Sequence, residues 1–520
     1  MIKRLFNNQS KTIMSAAFVL GAASLVSRLL GLVRDRMLAG MFGAGDELDI
    51  YYAAFRIPDL VFSLLVVGAI SAGFIPVFIN YVQKNESKAW HLANSVLNLI
   101  TLSLVIVCLI LIIIAPWLIK LIAPGFSPDK LALTVQLTRI MFLSPFFLGL
   151  SAVLGGILQS FRRFLIYALG PIMYNLGIIF GVLFLVDYFG LKGLAYGVVL
   201  GAFLHMVIQV PSAWLCGFKW RPVFDFRFAG VKRVFKMMPP RIINLAFWQI
   251  TLIVMTVLAS LLAVGSVAVY NLAYNIWSFP LGIFGISFVV AAFPKLSQAA
   301  QKKNKVGFVK IFSSTTRQIL FFTLPAAVLF IVLRSQIVQI ILGTGRFETA
   351  DVHLTAQILG YFSLGLFAQA LILLFLRGFF AWEDAKTPLL TGFLTTLVAL
   401  SSAWFLAQVL GVVGLALAFS LSCFFHLILL TVFLRNKIGW LDLKKILISS
   451  LKMLLACLIA GLAVWFVLRL INQPALIQGG IAGLIGVLIY FFLAWIFRLE
   501  ELNIFFSSLV SKLPWKKVRE

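Results

Sequence analysis

Residues 96–115 read VLNLITLSLVIVCLILIIIA, and residues 389–410 read LLTGFLTTLVALSSAWFLAQVL. Neither run contains a charged residue, and each is long enough for a helix to cross the hydrocarbon core of a bilayer, which takes about 20 residues. Strands that cross a bilayer would instead show segments of roughly ten residues with alternating polarity. Since backbone groups in lipid must be satisfied internally, these runs predict membrane-spanning helices.

The composition of the whole chain agrees with this prediction. Of its 520 residues, 62% are hydrophobic and 12% are charged, whereas soluble proteins carry about 25% charged residues. Soluble globular, disordered and fibrous classes are therefore excluded. Apolar runs separated by charged or Gly/Pro-rich breaks indicate about fourteen spans. We therefore expect an all-α polytopic membrane protein.

The net charge of +26 is unevenly distributed between loops. With the N-terminus placed in the cytoplasm, the loops on that side carry roughly three times as many Lys and Arg residues as the loops on the other side. This pattern predicts an even number of spans with both termini cytoplasmic. The basic residues are then topology determinants and contacts for anionic lipid headgroups, and no nucleic-acid partner is expected.

The chain repeats itself at an offset of about 221 residues. The stretch GLKGLAY at 190–196 matches GVVGLAL at 411–417, and His205 falls on His426. Six predicted spans, an even number, separate the copies. The two repeats therefore face the same way and are related by an axis along the membrane normal.

This repeat predicts two parallel six-helix lobes around a central cavity, a layout typical of alternating-access transporters. The N-lobe comprises residues 1–217 and the C-lobe residues 236–440. A cytoplasmic interfacial linker, 218–235, joins them, and residues 441–520 contain two extra helices and a basic tail.

Charged residues interrupt the first two predicted spans, where each costs several kcal/mol unless it faces a cavity or a partner. One interpretation is an anion-binding wall, since guanidinium groups match pyrophosphate oxygens bidentately. The other is that Asp35 or Asp49 neutralises a nearby arginine to hold a kink, and the two are compatible. Asp49 and Arg56 are seven residues apart and lie on one helix face. The candidate binding residues in these spans are Arg28, Arg34, Asp49 and Arg56.

Other polar residues have less specific interpretations. Arg241, after Pro239 and Pro240, is either a topology residue of the inner leaflet or a second cavity cation. His205 and His426 are either packing histidines or a proton relay. No P-loop, hydrolytic triad or metal-ligand spacing occurs in the sequence. We therefore expect no catalytic residue, metal or cofactor, and hence no enzyme.

Motifs distributed in order along most of the chain resemble those of the MurJ (MviN) family of lipid II flippases. This family belongs to the multidrug/oligosaccharidyl-lipid/polysaccharide exporter superfamily. The matching stretches are 27–35, 42–45 with Asp49, 54–58, 68–71, 74–77, 115–117, 123–126, 279–282 and 386–388.

The resemblance implies a flippase of the bacterial inner membrane. It would move lipid II, an undecaprenyl-pyrophosphate muropeptide, from the inner to the outer leaflet by alternating access. The family fold implies fourteen helices, a cationic cavity and a groove for the polyprenyl tail at the last two helices. It also implies that Arg28, Arg34 and Asp49 match functionally required positions. Expected partners are the lipid-linked pyrophosphate, membrane lipids and cell-wall synthesis proteins, with the chain itself a monomer.

The sequence departs from the family pattern in the eighth predicted span, where Asn275 stands in place of an arginine that many members carry. Either Arg241 replaces that arginine, or the first lobe mainly holds the phosphate, or the chain is a divergent paralog with another lipid-linked substrate. We count both Arg241 and Asn275 among the candidate binding residues. The alternative functions are export of another lipid-linked oligosaccharide, or multidrug export within the same superfamily. A non-transporting scaffold would not need the intramembrane charges.

Overall fold

The computed structural model describes residues 13–67 and 73–510, and every regular element in those ranges is helical. The π-helical segments in these ranges include Phe62–Val67, Gly181–Leu185 and Leu281–Gly285. The α-helices are α1 (Ile13–Phe42), α2 (Asp46–Val61), α3 (Ile75–Lys84), α4 (Glu86–Ile122), α5 (Pro128–Met141), α6 (Leu143–Ser160), α7 (Phe164–Phe180), α8 (Val186–Phe189), α9 (Lys192–Val207), α10 (Val210–Leu215), α11 (Ala229–Lys236), α12 (Pro239–Ser260), α13 (Ser266–Pro280), α14 (Ile286–Gln301), α15 (Lys305–Val332), α16 (Arg334–Ile341), α17 (Thr349–Leu364), α18 (Leu366–Ala381), α19 (Lys386–Leu410), α20 (Val412–Ile438), α21 (Leu443–Leu470), α22 (Ala475–Ile496) and α23 (Glu500–Val510).

Among the described residues, ten helical segments are long and apolar enough to cross a membrane. The number is eleven if α17 and α18, which meet at a bend of 42°, form one span. The remaining predicted spans fall on α1, on α2 with its π-helical continuation, and on α12. The all-α polytopic fold is therefore confirmed, and the count of fourteen stays a prediction.

The chain forms two compact units. The first comprises residues up to 271 together with 344–348, and the second comprises 272–343 and the residues from 349 onward. In the first unit, α7 and α9 cross at glycines, because a Cβ on Gly177 would lie 2.2 Å from the Cα of Gly201. Small residues permit such backbone contact between helices in lipid. The predicted lobe boundaries, 217 and 236, stay a prediction.

The second unit contains the two C-terminal helices that follow the predicted repeat. Its α21 and α22 form a hairpin packed on α15. The Tyr490 hydroxyl on α22 donates a hydrogen bond of 2.7 Å to the Phe321 carbonyl on α15. A buried tyrosine that finds a partner in this way fixes the position of its helix as well as filling space.

The repeat is visible in the backbone conformation. Arg162 and Glu383, which are 221 residues apart, have φ angles of 59° and 57°. Positive φ is uncommon for a non-glycine residue, so its recurrence at the repeat offset is informative. Three glycine pairs recur in the same way and have positive φ at both positions: Gly43 with Gly265, Gly190 with Gly411, and Gly217 with Gly439.

The predicted interfacial linker is held against α4 by side chains from one face of that helix. Asn94 accepts a hydrogen bond from the Arg221 amide at 2.7 Å, and Asn98 donates to the carbonyls of Arg221 and Val223 at 2.7 and 2.9 Å. One ring nitrogen of His91 lies 3.0 Å from an Asp225 carboxylate oxygen. These bonds replace the intrahelical partners that an extended segment lacks.

Candidate functional site

A cavity of about 700 Å³ lies within the first unit, between α1, α6, α7 and α9. Among the described residues that line it, Arg28 is the one Arg or Lys side chain. Arg28 is half-buried, so its guanidinium lies where a desolvated anion would gain most from charge-assisted hydrogen bonds. The polar lining also includes Ser27, Gln159 and Tyr167. The cavity therefore combines an apolar wall with one strong anion-binding group.

Arg34 has a different environment, one and a half turns further along α1. Its Nε and one terminal nitrogen donate to the same carboxylate oxygen of Asp35, at 3.0 and 2.8 Å. The Asp35 side chain is only 2% exposed and that of Arg34 is 19% exposed. This buried pair matches the interpretation in which a carboxylate neutralises an arginine of the first span.

Asn175 on α7, which is not among the residues predicted from the sequence, links these two parts of α1. Its side-chain oxygen accepts from Arg34 at 3.3 Å, and its amide nitrogen donates to the Ser27 carbonyl at 3.1 Å. The turn that carries Arg28 is thereby tied to Arg34. A single asparagine within the apolar run of α7 could have indicated such a role, because buried amides need partners.

Replacing Asn175 by leucine should destabilise the protein by about 2 kcal/mol, since it breaks these bonds and leaves the buried Arg34 short of a partner. Thermal unfolding of the purified chain in detergent measures the effect. Gln318→Leu is the matched control, because the Gln318 side-chain amide donates to Ser314 of its own helix, at 3.0 Å. An equal loss of stability in both variants would contradict the assigned role.

Asp49 caps the N-terminus of α13. Its carboxylate accepts from the backbone amides of Gly265 and Ala268, both at 2.9 Å, which are groups that no intrahelical carbonyl can reach. Lys130, whose side chain is 9% exposed, donates to it at 2.8 Å and also to Asp46. A carboxylate at this end also complements the helix dipole. Asp49 thus joins α2, α5 and α13.

Arg56, two turns further along α2, contacts α12 and α13. Its Nε donates to the Thr256 hydroxyl on α12 at 2.7 Å, and a terminal nitrogen donates to the Asn271 side chain on α13. The predicted shared face of Asp49 and Arg56 therefore faces α12 and α13. Nearby, the Gln249 side-chain amide donates a hydrogen bond of 2.7 Å to the Ser63 hydroxyl.

At the same end of these helices, two close contacts bring backbone against backbone. A Cβ added to Gly265, whose φ is +85°, would lie 2.0 Å from the Ala44 carbonyl oxygen. A Cβ added to Gly125 would lie 2.0 Å from the Ser260 carbonyl oxygen. Only glycine fits such approaches. The α12–α13 turn therefore packs with its backbone directly against the loops that precede α2 and α5.

The other predicted residues lie elsewhere. Asn275 is half-buried on α13, in the second unit. Arg241 lies in the first turn of α12, but its side chain is outside the described part of the chain. His205 lines the cavity and bonds Ser151 at 2.6 Å, in agreement with a hydrogen-bonded packing histidine. Among the described residues, no group of three His, Cys, Asp or Glu side chains could hold a metal ion.

Comparison with known proteins identifies the family of this chain. The family model described as "Lipid II flippase MurJ" matches residues 38–479. The chain belongs to the MurJ family. A "Probable lipid II flippase MurJ" from Buchnera aphidicola subsp. Acyrthosiphon pisum is 29% identical over 499 residues, which cover 93% of this chain and 97% of that protein. The "Lipid II flippase MurJ" of Burkholderia cenocepacia is 27% identical, with coverage of 86% and 89%.

Solved structures confirm the fold. A "Lipid II flippase MurJ, inward closed conformation" superposes with a TM-score of 0.79 at 24% identity, covering 95% of this chain and all of that one. An inward-facing multidrug transporter of the MATE family superposes with a TM-score of 0.68 at 14% identity, covering 82% and 99%. The fold is thus shared with a MATE-family transporter, while the sequence match is to the MurJ family.

Proposed function

We propose that the chain moves lipid II from the inner to the outer leaflet of the bacterial inner membrane, without making or breaking a bond. Family membership over most of the chain supports the substrate. The observation that carries the proposal is the half-buried Arg28 in a cavity of about 700 Å³, because a guanidinium there suits the pyrophosphate of a lipid-linked precursor. The superfamily alternatives, another lipid-linked oligosaccharide or drugs, are not favoured by the family match.

The residues of the site have distinct proposed roles. Arg28 binds the pyrophosphate, whereas Arg34, held by Asp35 and Asn175, fixes the position of α1. Asp49 and Arg56 hold the α12–α13 hairpin against α2. Under the predicted topology these contacts lie at the outer end of the helices, and they form when that end is closed. Alternating access then requires both sets of bonds to break before the head group leaves.

Arg241 and Asn275 are proposed to contact the substrate from the second lobe. Arg241 follows two prolines at the predicted cytoplasmic entrance of α12, where a cation would meet the pyrophosphate first. This contact stays a prediction, as do the monomeric state and the association with cell-wall synthesis proteins.

Transport by the purified chain in liposomes tests the function. Lipid II with a fluorescent peptide is placed in both leaflets, and a membrane-impermeant quencher reports the fraction that is accessible over time. We expect lipid II to equilibrate much faster than in empty liposomes, and faster than a prenyl-pyrophosphate that carries an unrelated oligosaccharide. Movement of the second lipid alone would overturn the substrate assignment and leave the flippase assignment intact.

The predicted orientation can be checked by cysteine labelling. In a variant without the four native cysteines, we expect single cysteines at Arg227 and Lys302 to react with an impermeant maleimide only after the cells are permeabilised. Both residues are exposed and lie in predicted cytoplasmic loops. A cysteine at Tyr188, which is 84% exposed and predicted to lie outside, should react in intact cells. Reaction at 227 or 302 in intact cells would reverse the assignment.

A further inference from the structure

A second charged pocket, of about 320 Å³, lies in the second unit where α15, α21 and α23 meet. It is separate from the Arg28 cavity, and the proposed flipping step does not use it. Five basic and three acidic side chains line it. The basic residues are Arg317, Lys444, Lys445, Lys452 and Arg498, and the acidic residues are Asp442, Glu500 and Glu501.

The acidic side chains are engaged within the wall of the pocket. Arg317, whose side chain is 7% exposed, bonds both Glu500, at 3.0 Å, and Glu501. Lys445 also bonds Glu500, at 2.9 Å. Hydrogen bonds from Lys445 and Arg317 hold the pKa of Glu500 below its ordinary value, so this carboxylate stays charged at neutral pH. Asp442 accepts from the Ser313 hydroxyl at 2.8 Å.

The remaining basic side chains form an exposed rim. Lys444 and Arg498 are exposed, and within the described ranges neither makes an ion pair. Lys452 is exposed and donates to the Phe497 carbonyl at 3.2 Å. Three cations thus surround an opening whose carboxylates already have partners. The opening therefore favours an anion.

An apolar surface begins directly below this rim. Ile448, which lines the pocket, is 51% exposed, and Leu451 and Leu455 continue along the same side of α21 with 60% and 47% exposed. Trp495 on α22 is 68% exposed. The cationic rim suits the headgroup of an anionic phospholipid, and the apolar surface beside it suits the acyl chains. Basic pockets on the cytoplasmic side of membrane helices, where the predicted topology places this rim, attract anionic headgroups.

We propose that the pocket of Lys444, Lys452 and Arg498 binds the phosphate of an anionic lipid headgroup, whose acyl chains lie along α21. The bound lipid would brace α21 and α23 against α15. A free phosphate shares the anionic chemistry but would not use the apolar wall.

Native mass spectrometry of the full chain in detergent tests the proposal, with dioleoylphosphatidylglycerol, dioleoylphosphatidylcholine and inorganic phosphate as separate probes. We expect phosphatidylglycerol to bind at least tenfold more tightly than phosphatidylcholine. The triple variant Lys444→Gln, Lys452→Gln, Arg498→Gln should lose about tenfold or more of that affinity. The matched control, Lys84→Gln, Lys88→Gln, Lys302→Gln, removes the same charge from exposed residues elsewhere and should bind normally.

Each outcome distinguishes the possible sources of the anion. Equal binding of inorganic phosphate would overturn the lipid assignment. Equal losses in the two triple variants would show a diffuse charge effect and overturn the site. If the triple variant does not fold, Lys444→Glu, in the exposed first turn of α21, provides the same comparison. Because the readout is binding and not flipping, failure here leaves the proposed function untouched.

Discussion

Replacing Arg28 by alanine should reduce lipid II flipping to the rate of empty liposomes while the protein remains folded. Arg28 is the one Arg or Lys among the described residues that line the cavity in the first unit. Charge-assisted hydrogen bonds contribute about 1.5–3 kcal/mol each, and a guanidinium that grips a pyrophosphate makes two. We therefore expect head-group binding to weaken by about 100-fold or more. Arg28→Lys keeps the positive charge but cannot donate two parallel hydrogen bonds, so it should retain part of the activity.

The rate of lipid II flipping in the liposome assay tests this prediction, and the affinity for the lipid II head group is a second readout. Arg139→Ala is the control, because Arg139 is an exposed arginine that donates to the Ile112 carbonyl at 3.1 Å, away from the cavity. Normal flipping by Arg28→Ala would contradict the cavity assignment. Failure of that variant to insert into the membrane would instead favour a structural role for Arg28.

Replacing Asp49 by alanine should destabilise the protein by about 3 kcal/mol and lower flipping at least tenfold. The substitution leaves Lys130 buried with only the exposed Asp46 as partner, and removing one member of a buried pair is strongly unfavourable. It also removes the cap from Gly265 and Ala268, which costs about 1 kcal/mol more. Thermal unfolding and the liposome assay measure the two effects.

A double variant separates the charge from the cap. Lys130→Met in the Asp49→Ala background removes the uncompensated ammonium, so it should restore most of the stability but not the flipping, since α13 remains uncapped. Asp129→Ala, an exposed acid beside Lys130, is the control and should behave as the wild type. Recovery of both stability and flipping in the double variant would show that Asp49 serves only to neutralise Lys130.

The helices could be predicted from the sequence because lipid leaves the backbone few alternatives. The spans that stay uncertain lie on α1, on α2 with its π-helical segment, and on α12, where charged residues or prolines interrupt the apolar run. The π-helical segments have no distinctive amino-acid composition, so the sequence alone does not reveal them. Two of them follow a proline closely, Phe62–Val67 after Pro58 and Leu281–Gly285 after Pro280.

Arg28, Arg34, Asp49 and Arg56 were detectable because charged residues in apolar runs are costly and therefore conspicuous. Their partners were not. Thr256 and Asn271 lie 200 and 215 residues from Arg56, and neutral polar residues of this kind are common in membrane helices. Lys130, which lies between two apolar runs, is buried beside Asp49. Such pairings arise from tertiary packing, which the pattern of one chain does not encode locally.

The shared left-handed turns also bear on how the two halves diverged. Gly43 and Gly265 are 222 residues apart, and the same shift places Asp49 on Asn271 and Arg34 on Thr256. The two partners of Arg56 therefore stand where the first half has its own charged residues. The turns are thus common to both copies, whereas the charges of Arg34 and Asp49 occur only in the first. The neutral counterparts of Arg34 and Asp49 in the second copy, Thr256 and Asn271, both accept hydrogen bonds from Arg56 of the first copy.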